Sequence, residues 1–569
     1  MWRSTIKRIS TLSILFLLSA CTSLENSQQV NTTTQRSPAA AIASAHPLAT
    51  QAGMDVLNKG GNAFDAAIAV AASLGVVEPY SAGIGGGGFW LLYDASLDQY
   101  RFIDARETAP QAAGKNYYLT KSGKVNRDKA INGPTAAAIP GQAAAFTHIA
   151  ENYGRLPLKK SLAAAIEQAN HGFEVNEYYR TLMGYRLDAV RRYPDSANIF
   201  LKDNQIPEKG YLLRQPDLAN TLKLLAKNGF DGFYKGEVAQ QLLTAVQQNG
   251  GHWTADDLAN YKVIERDPIR VNFGGVEVIS SPPPSSGGIA LVQMLNMLTY
   301  FQWQQLSTVD QTHLLTEIMR RAYFDRAEFL GDPDFVDIPQ TELLSESHAQ
   351  QWASSINMDQ ATSSLSLNGP KNVEQGMHTT HFSVLDKEGN KVSATLSINL
   401  PFGSAFTAAG TGVLLNNEMD DFSAKPGEPN AYGLVGSKAN AIAPGKRPLS
   451  SMTPTIIESS RQTAILGTPG GSRIITMVFL GVLEHLQGQP VTAWVSKPRF
   501  HHQYLPDVIE FEPGAFSDIE LEQLSARGHS LKDSRRKYGN MQAILWDKQS
   551  QEVTAASDPR GEGLSQVKE

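Results

Sequence analysis

Cysteine is almost absent: the chain of 569 residues has one, Cys21. No intramolecular disulfide can form, and no metal site can be built on cysteine pairs. Basic runs are missing too. The formal charge of −6 is spread thinly, which gives nucleic-acid binding no support. No His-x-x-x-His pair and no acidic cluster with metal-ligand spacing occurs. His501 and His502 are adjacent, so their rings point apart and read as structural. There is no internal repeat, no Gly-x-Ser-x-Gly elbow and no Ser-His-Asp order. The apolar run Ile14–Leu18 is too short for a permanent membrane helix.

What remains is ordinary globular composition, 41% hydrophobic and 19% charged, in a chain long enough for a large core. The first forty residues differ. Lys7 and Arg8 precede the apolar run, the layout of a secretory signal over residues 1–20. The run ends in Leu18-Ser19-Ala20-Cys21, which resembles a bacterial lipobox with Cys21 as the lipidated first residue. Thr22 follows rather than Asp, which suggests the outer membrane by analogy. Cleavage nearby, giving a soluble periplasmic product, is the alternative. Residues 21–40 are rich in Ser, Thr, Gln and Asn and read as a flexible tether.

Helices are expected from Leu48 to Lys59 and from Asn62 to Leu74. The run Gly83–Gly88 lacks the Lys-Ser/Thr ending of a phosphate loop, and a strand (Phe89 to Tyr93) follows it, so it reads as a close-packed turn. Residues 135 to 350 read mainly as helices. A polar loop over 355–376 then leads into an abrupt strand at Thr379. The turn Asp386–Asn390 and a returning strand from Lys391 to Asn399 complete a hairpin. Alternation along that strand would point Ser397 and Asn399 the same way. Taken alone, Thr379 is a strand-start hydroxyl, and Glu418 with Asp421 a solvated acidic loop.

Five motifs change that reading: D-x-R-E-x-A-P at 104–110, T-T-H-F-S at 379–383, L-L-N-N-E-M-D-D-F at 414–422, R-P-L-S-S-M at 447–452 and P-G-G-S at 469–472. Together, over residue 40 to the C-terminus, they resemble the γ-glutamyltransferase (γ-glutamyl transpeptidase) family of N-terminal-nucleophile hydrolases. The resemblance implies an α+β fold, an αββα sandwich of two stacked antiparallel sheets between helical layers. It implies self-cleavage between His378 and Thr379 into a large subunit (41–378) and a small one (379–569), which stay together as a heterodimer. Thr379 would be nucleophile and, through its new α-amine, base.

The resemblance also assigns the pocket. Arg106, Ser450 and Ser451 would bind the α-carboxylate of the γ-glutamyl donor, and Glu418, Asp421 and Asn399 its α-amine. Gly470 and Gly471 would supply oxyanion N–H groups, and Tyr432 would close a lid from the Pro426–Gly433 loop. At 397 the family often has Thr. Ser397 keeps the hydroxyl, expected to bond Thr379, and loses the methyl. No metal or organic cofactor is implied. The substrates would be glutathione and related γ-glutamyl amides, with water, amino acids or peptides as acceptors. A cephalosporin (glutaryl) acylase on the same fold and a non-catalytic solute-binding lipoprotein are the rival readings.

Overall fold

The computed structural model describes residues 35–367 and 379–569. Cys21, the signal segment, most of the tether and His378 lie outside the described residues. Thirteen strands build the two main sheets: β1 (Ala40–Ser44), β2 (Gly87–Asp94), β3 (Gln99–Ala105), β4 (Ile264–Arg266), β5 (Ile269–Phe273), β6 (Val276–Ser280), β7 (Thr380–Leu385), β8 (Lys391–Ser397), β9 (Thr455–Glu458), β10 (Gln462–Gly467), β11 (Gln542–Asp547), β12 (Glu552–Ser557) and β13 (Leu564–Lys568). One sheet has the order β13-β1-β7-β8-β2-β3-β4 and the other β12-β11-β10-β9-β6-β5. Every pairing in both is antiparallel.

The period-two pattern of each strand sorts its side chains between two cores. Ile42, Trp90, Leu92, Phe382, Val384 and Val392 face a helical layer that includes α1 (Pro47–Asn58) and α2 (Ala63–Val77). Ala41, Ala43, Phe89, Leu91 and Leu385 face the second sheet, whose own outer side carries α3 (Gly287–Leu298), α4 (Thr308–Phe329) and α5 (Ile474–Leu486). This is the expected αββα sandwich. Both faces of the first sheet are covered, so its central strands β7 and β8 are buried throughout.

The space between the sheets is partly polar, and several of its polar groups are paired across it. Ser383 Oγ donates to Gln542 O (3.1 Å) and Ser393 Oγ to Leu466 O (3.2 Å). His381 sits against Thr395 Oγ1 (2.9 Å), and a Cβ at Gly467 would meet its ring at 2.3 Å. Burial holds its imidazole down at about 3, so the ring is neutral.

Local chemistry explains the elements around the site. Asn62 caps α2 in a capping box with Asp65. The glycine run is a close-packed turn: a Cβ on Gly86 would lie 2.2 Å from Ser397 O. The β7–β8 hairpin turns on Gly389 (φ +92) and on Asn390 N donating to Asp386 Oδ1. Two expectations need correcting. Residues 135–350 also contain β4, β5 and β6; the Gly274-Gly275 pair, both at positive φ, makes a hairpin between β-branched runs. Strand β8 ends at Ser397, not Asn399, because Asn399 is at φ +73 and leaves the ladder. Strand β1, from before residue 379, lies between β13 and β7, and β6 pairs with β9. Both sheets therefore interleave chain from the two sides of the 378–379 bond.

Candidate active site

Thr379 is 6% exposed and immediately precedes β7. It opens on a cavity also lined by Arg106, Ser397, Asn399, Asp421, Tyr432, Ser450, Ser451 and Gly471. These residues come from six separate stretches of sequence. Glu418 reaches the same place through Arg106, and Gly470 directly precedes Gly471 in the chain.

Ser397 Oγ accepts from Asn399 N (2.8 Å). That bond, rather than strand alternation, turns Asn399 back to the cavity. Asn399 Nδ2 donates to Asn417 O (2.8 Å), which leaves Asn399 Oδ1 buried with no donor.

Arg106 lies at the end of β3, and its guanidinium is 1% exposed. It meets Glu418 at 2.7 Å, Asp421 at 2.5 Å and Glu107 at 3.5 Å, and its Nε donates to Pro448 O (3.1 Å). Burial alone would depress it, but the three carboxylates outweigh burial and hold it charged. Burial pushes Glu418 well above the usual carboxylate range, with Arg106 pulling back. Burial pushes Glu107 up to about 7. Glu418 Oε2 is taken by Arg106. Its Oε1 has no donor in hydrogen-bonding geometry, although the Ser397 hydroxyl is near enough to favour the charged form. Asn399 Oδ1 and Glu418 Oε1 thus await a donor, as do both carboxylate oxygens of Glu107 beside the same guanidinium.

The loop carrying Ser450 and Ser451 docks on the segment between β6 and α3: Ser450 N donates to Pro284 O (2.9 Å), and Ser286 N donates to Ser450 O (2.8 Å). Sequence reasoning missed Arg326 of α4. It lines the cavity, is 4% exposed, and donates to Ser286 Oγ (3.0 Å) and Ser451 Oγ (3.3 Å). Among the described residues no carboxylate pairs with it. One signal was available: Arg320 and Arg321 pair with Glu317 at helical spacing, whereas no acid stands three or four residues from Arg326.

Gly470 (φ +144) and Gly471 (φ +58) form a turn that only glycine adopts without strain, directly before α5. Ile474, the first residue of α5, lines the cavity, so the positive end of that helix faces it. A Cβ on Gly471 would meet the Tyr432 ring at 2.4 Å. Tyr432 is buried over the cavity, its hydroxyl donating to Asn399 O (2.8 Å) and its N to Asn430 Oδ1 (2.9 Å).

A second unforeseen group lies beneath the strand. Thr380 Oγ1 donates to Glu78 Oε2 (2.8 Å) and Tyr80 OH to Glu78 Oε1 (3.2 Å). Burial pushes Glu78 up to about 7, the two hydroxyls pulling the other way. Between about pH 4.5 and 7 the folded protein therefore keeps a proton that the unfolded chain releases. Stability from this group falls as pH rises through that window, by up to about 3 kcal/mol. Glu78→Gln removes that dependence. The expected result is a wild-type-minus-variant unfolding free energy that declines from pH 4.5 to 7.5 in urea titrations. A pH-independent difference would show that Glu78 ionises normally.

His501 and His502 are both buried and turn to different partners, Thr476 Oγ1 (2.8 Å) and Asp507 Oδ1 (3.2 Å).

Known proteins resemble this chain in sequence and fold. Residues 49–567 match the gamma-glutamyltranspeptidase family model. The glutathione hydrolase proenzyme of Escherichia coli (strain K12) is 42% identical over 527 residues, 91% of this chain and 90% of that protein. Among solved structures, the cephalosporin acylase from Bacillus halodurans superposes with TM-score 0.82 at 27% identity, covering 93% of this chain and 96% of that one. The Helicobacter pylori gamma-glutamyltranspeptidase gives TM-score 0.55 at 36% identity, over 56% of this chain and 91% of that one. Matching sequence over nearly its whole length and the same sandwich fold place this chain in the gamma-glutamyltranspeptidase family.

Proposed function

We propose that the protein transfers the γ-glutamyl group of glutathione and related γ-glutamyl amides to water, or to amino acids and peptides, through an ester on Thr379 Oγ. The observation that carries this reading is a pair of unsatisfied buried acceptors, Asn399 Oδ1 and Glu418 Oε1, beside a guanidinium. A γ-glutamyl donor is a zwitterion at its α-carbon. Its ammonium supplies the donors that Asn399 Oδ1 and Glu418 Oε1 lack, with Asp421 adding negative charge. Its carboxylate suits Arg106, Ser450 and Ser451. Arg326 adds a cation there that no described carboxylate already neutralises.

The reaction begins with the chain itself. The Thr379 hydroxyl attacks the His378 carbonyl, and water hydrolyses the resulting ester. Thr379 then carries a free α-amine, which takes the hydroxyl proton as the hydroxyl attacks the donor's γ-carbonyl. The Gly470 and Gly471 N–H groups and the end of α5 stabilise the oxyanion. The amine leaves, and water or a second amine releases the γ-glutamyl group. Tyr432 excludes bulk water from the donor meanwhile. None of these steps calls for a metal or organic cofactor. The two subunits remain a heterodimer, which the shared sheets favour. We further infer a periplasmic location with Cys21 lipidated at the outer membrane; the leader and lipobox pattern supports this.

The rival is glutaryl transfer on the same fold. A glutaryl donor lacks the α-amine and would leave Asn399 Oδ1 and Glu418 Oε1 buried and unpaired. Discrimination by unpaired buried polar groups is large. We expect kcat/KM for γ-glutamyl-p-nitroanilide to exceed that for glutaryl-p-nitroanilide by roughly a thousandfold. A preference for the glutaryl compound would overturn the assignment.

A further inference from the structure

We propose that Arg186 is a positioning residue for the donor site: it fastens the loop that follows Asn399 and so keeps the Asn399 amide aimed at the donor's ammonium. This rests on the reading above. Arg186 lies in none of the five motifs and far from them in sequence.

The loop needs fastening. Asn399 (φ +73), Phe402 (φ +56) and Ala405 (φ +60) all hold left-handed backbone without being glycine. A Cβ resists that conformation, so it persists only where neighbours impose it. Packing imposes part of it: the Phe402 ring is buried against Tyr80, Tyr179 and Phe200. Arg186, on the helix Glu177–Arg191, imposes more. Its Nε donates to Pro401 O (3.1 Å) and its Nη2 to Gly403 O (2.9 Å). These carbonyls flank Phe402, and among the described residues no other donor meets either. The planar fork of a guanidinium suits two such acceptors. Asn132 Oδ1 accepts from the same Nη2 (2.8 Å) and steadies it.

Ion pairing does not account for this arginine. Nearby, Arg180 pairs with Glu177 (3.4 Å), Arg191 with Asp188 (3.4 Å) and Arg192 with Asp128 (2.9 Å). Among the described residues no carboxylate pairs with Arg186. It is half-buried and bonded only to neutral acceptors, a costly place for a cation. Burial, with Arg192 adding to it, holds it down at about 10, so it stays charged at neutral pH.

The loop reaches the chemistry through Asn399. Ser397 Oγ fixes that residue on its N-terminal side, and the loop fixes it on the other. Asn399 O also accepts from the Tyr432 hydroxyl (2.8 Å). A loop that relaxed would therefore shift Oδ1 and loosen the ring above the donor, while Thr379 stayed on its strand.

The test uses the full-length enzyme with Arg186→Gln, Arg186→Lys and Asn399→Gly; glycine removes the amide and keeps the left-handed backbone. Hydrolysis of γ-glutamyl-p-nitroanilide is measured per self-cleaved molecule. Arg186→Gln should raise the donor KM about tenfold and leave kcat within about threefold, because a misaimed acceptor weakens only the hold on the ammonium. Arg186→Lys keeps the charge without the fork and should raise KM by about threefold. In the Asn399→Gly background, Arg186→Gln should add nothing further. An unchanged KM in folded, self-cleaved variants, or an equal rise in both backgrounds, would overturn the proposal. So would a fall in kcat with KM unmoved, the mark of a merely structural role. Should the glutamine variant fail to fold, the lysine variant decides by the same comparison. No turnover of γ-glutamyl-p-nitroanilide by wild type would instead overturn the assigned reaction.

Discussion

Thr379→Ala is expected to leave the chain uncut and inactive. Alanine has no hydroxyl to attack the His378 carbonyl, so no new amine forms and no ester can be made on the donor. The loss of turnover should be on the order of 10⁴-fold or more, as when a nucleophile is removed from a concerted group. On a denaturing gel the variant runs as one chain, near the 61.8 kDa of the full sequence less its leader. Wild type is expected to give two fragments, the smaller beginning Thr-Thr-His-Phe. Thr379→Ser keeps a hydroxyl and should still cut, more slowly. The α-amine it exposes has an ordinary pKa of about 7.7–8.0, suited to a base near neutrality. A wild-type small fragment starting elsewhere, or no fragment, would remove the basis of the mechanism. The mass of the large fragment also reads its own N-terminus; a start other than an acylated Cys21 would dispose of the lipid anchor.

Much of this site was readable because its motifs are local. Thr379 and Ser397 sit on a hairpin signalled by alternation and by Asp386–Asn390. Gly470 and Gly471 mark a turn that other residues would strain. Other parts depend on tertiary context. Asn399, assigned by the motif resemblance, does line the cavity, but alternation is not what aims it: β8 ends at Ser397, and a backbone turn pinned by Ser397 does. Arg326 stands near Arg320 and Arg321, which each pair with Glu317 of the same helix, and only the folded chain brings α4 against Ser451. Glu78 is remote in sequence from Thr380 and becomes its partner through the packing of α2 under β7. The Gly274-Gly275 pair between β-branched runs is a hairpin signal set inside a mainly helical stretch.

Arg106 has two duties, which can be separated. Among the described residues it is the one cation touching Glu418, Asp421 and Glu107 together, and in the proposed reaction it grips the donor carboxylate. Arg106→Met leaves three carboxylates without that charge. Breaking a buried pair this way costs about 3–5 kcal/mol. Loss of the fork should also raise the donor KM by about a hundredfold. The stability loss has a pH signature. Glu418 and Glu107 already have raised folded-state pKa values, and without the guanidinium they rise further. An acid with a raised folded pKa is destabilising once ionised, so the deficit is greatest above pH 7 and shrinks as pH falls toward the unfolded value near 4.5. Urea titrations at pH 5 and pH 8 read this directly. Arg106→Lys returns the charge but not the planar fork. It should therefore recover most of the stability at pH 8 and little of the donor affinity. A lysine variant that restored both would make Arg106 a counter-charge alone, and the donor carboxylate would then have to be held by Arg326.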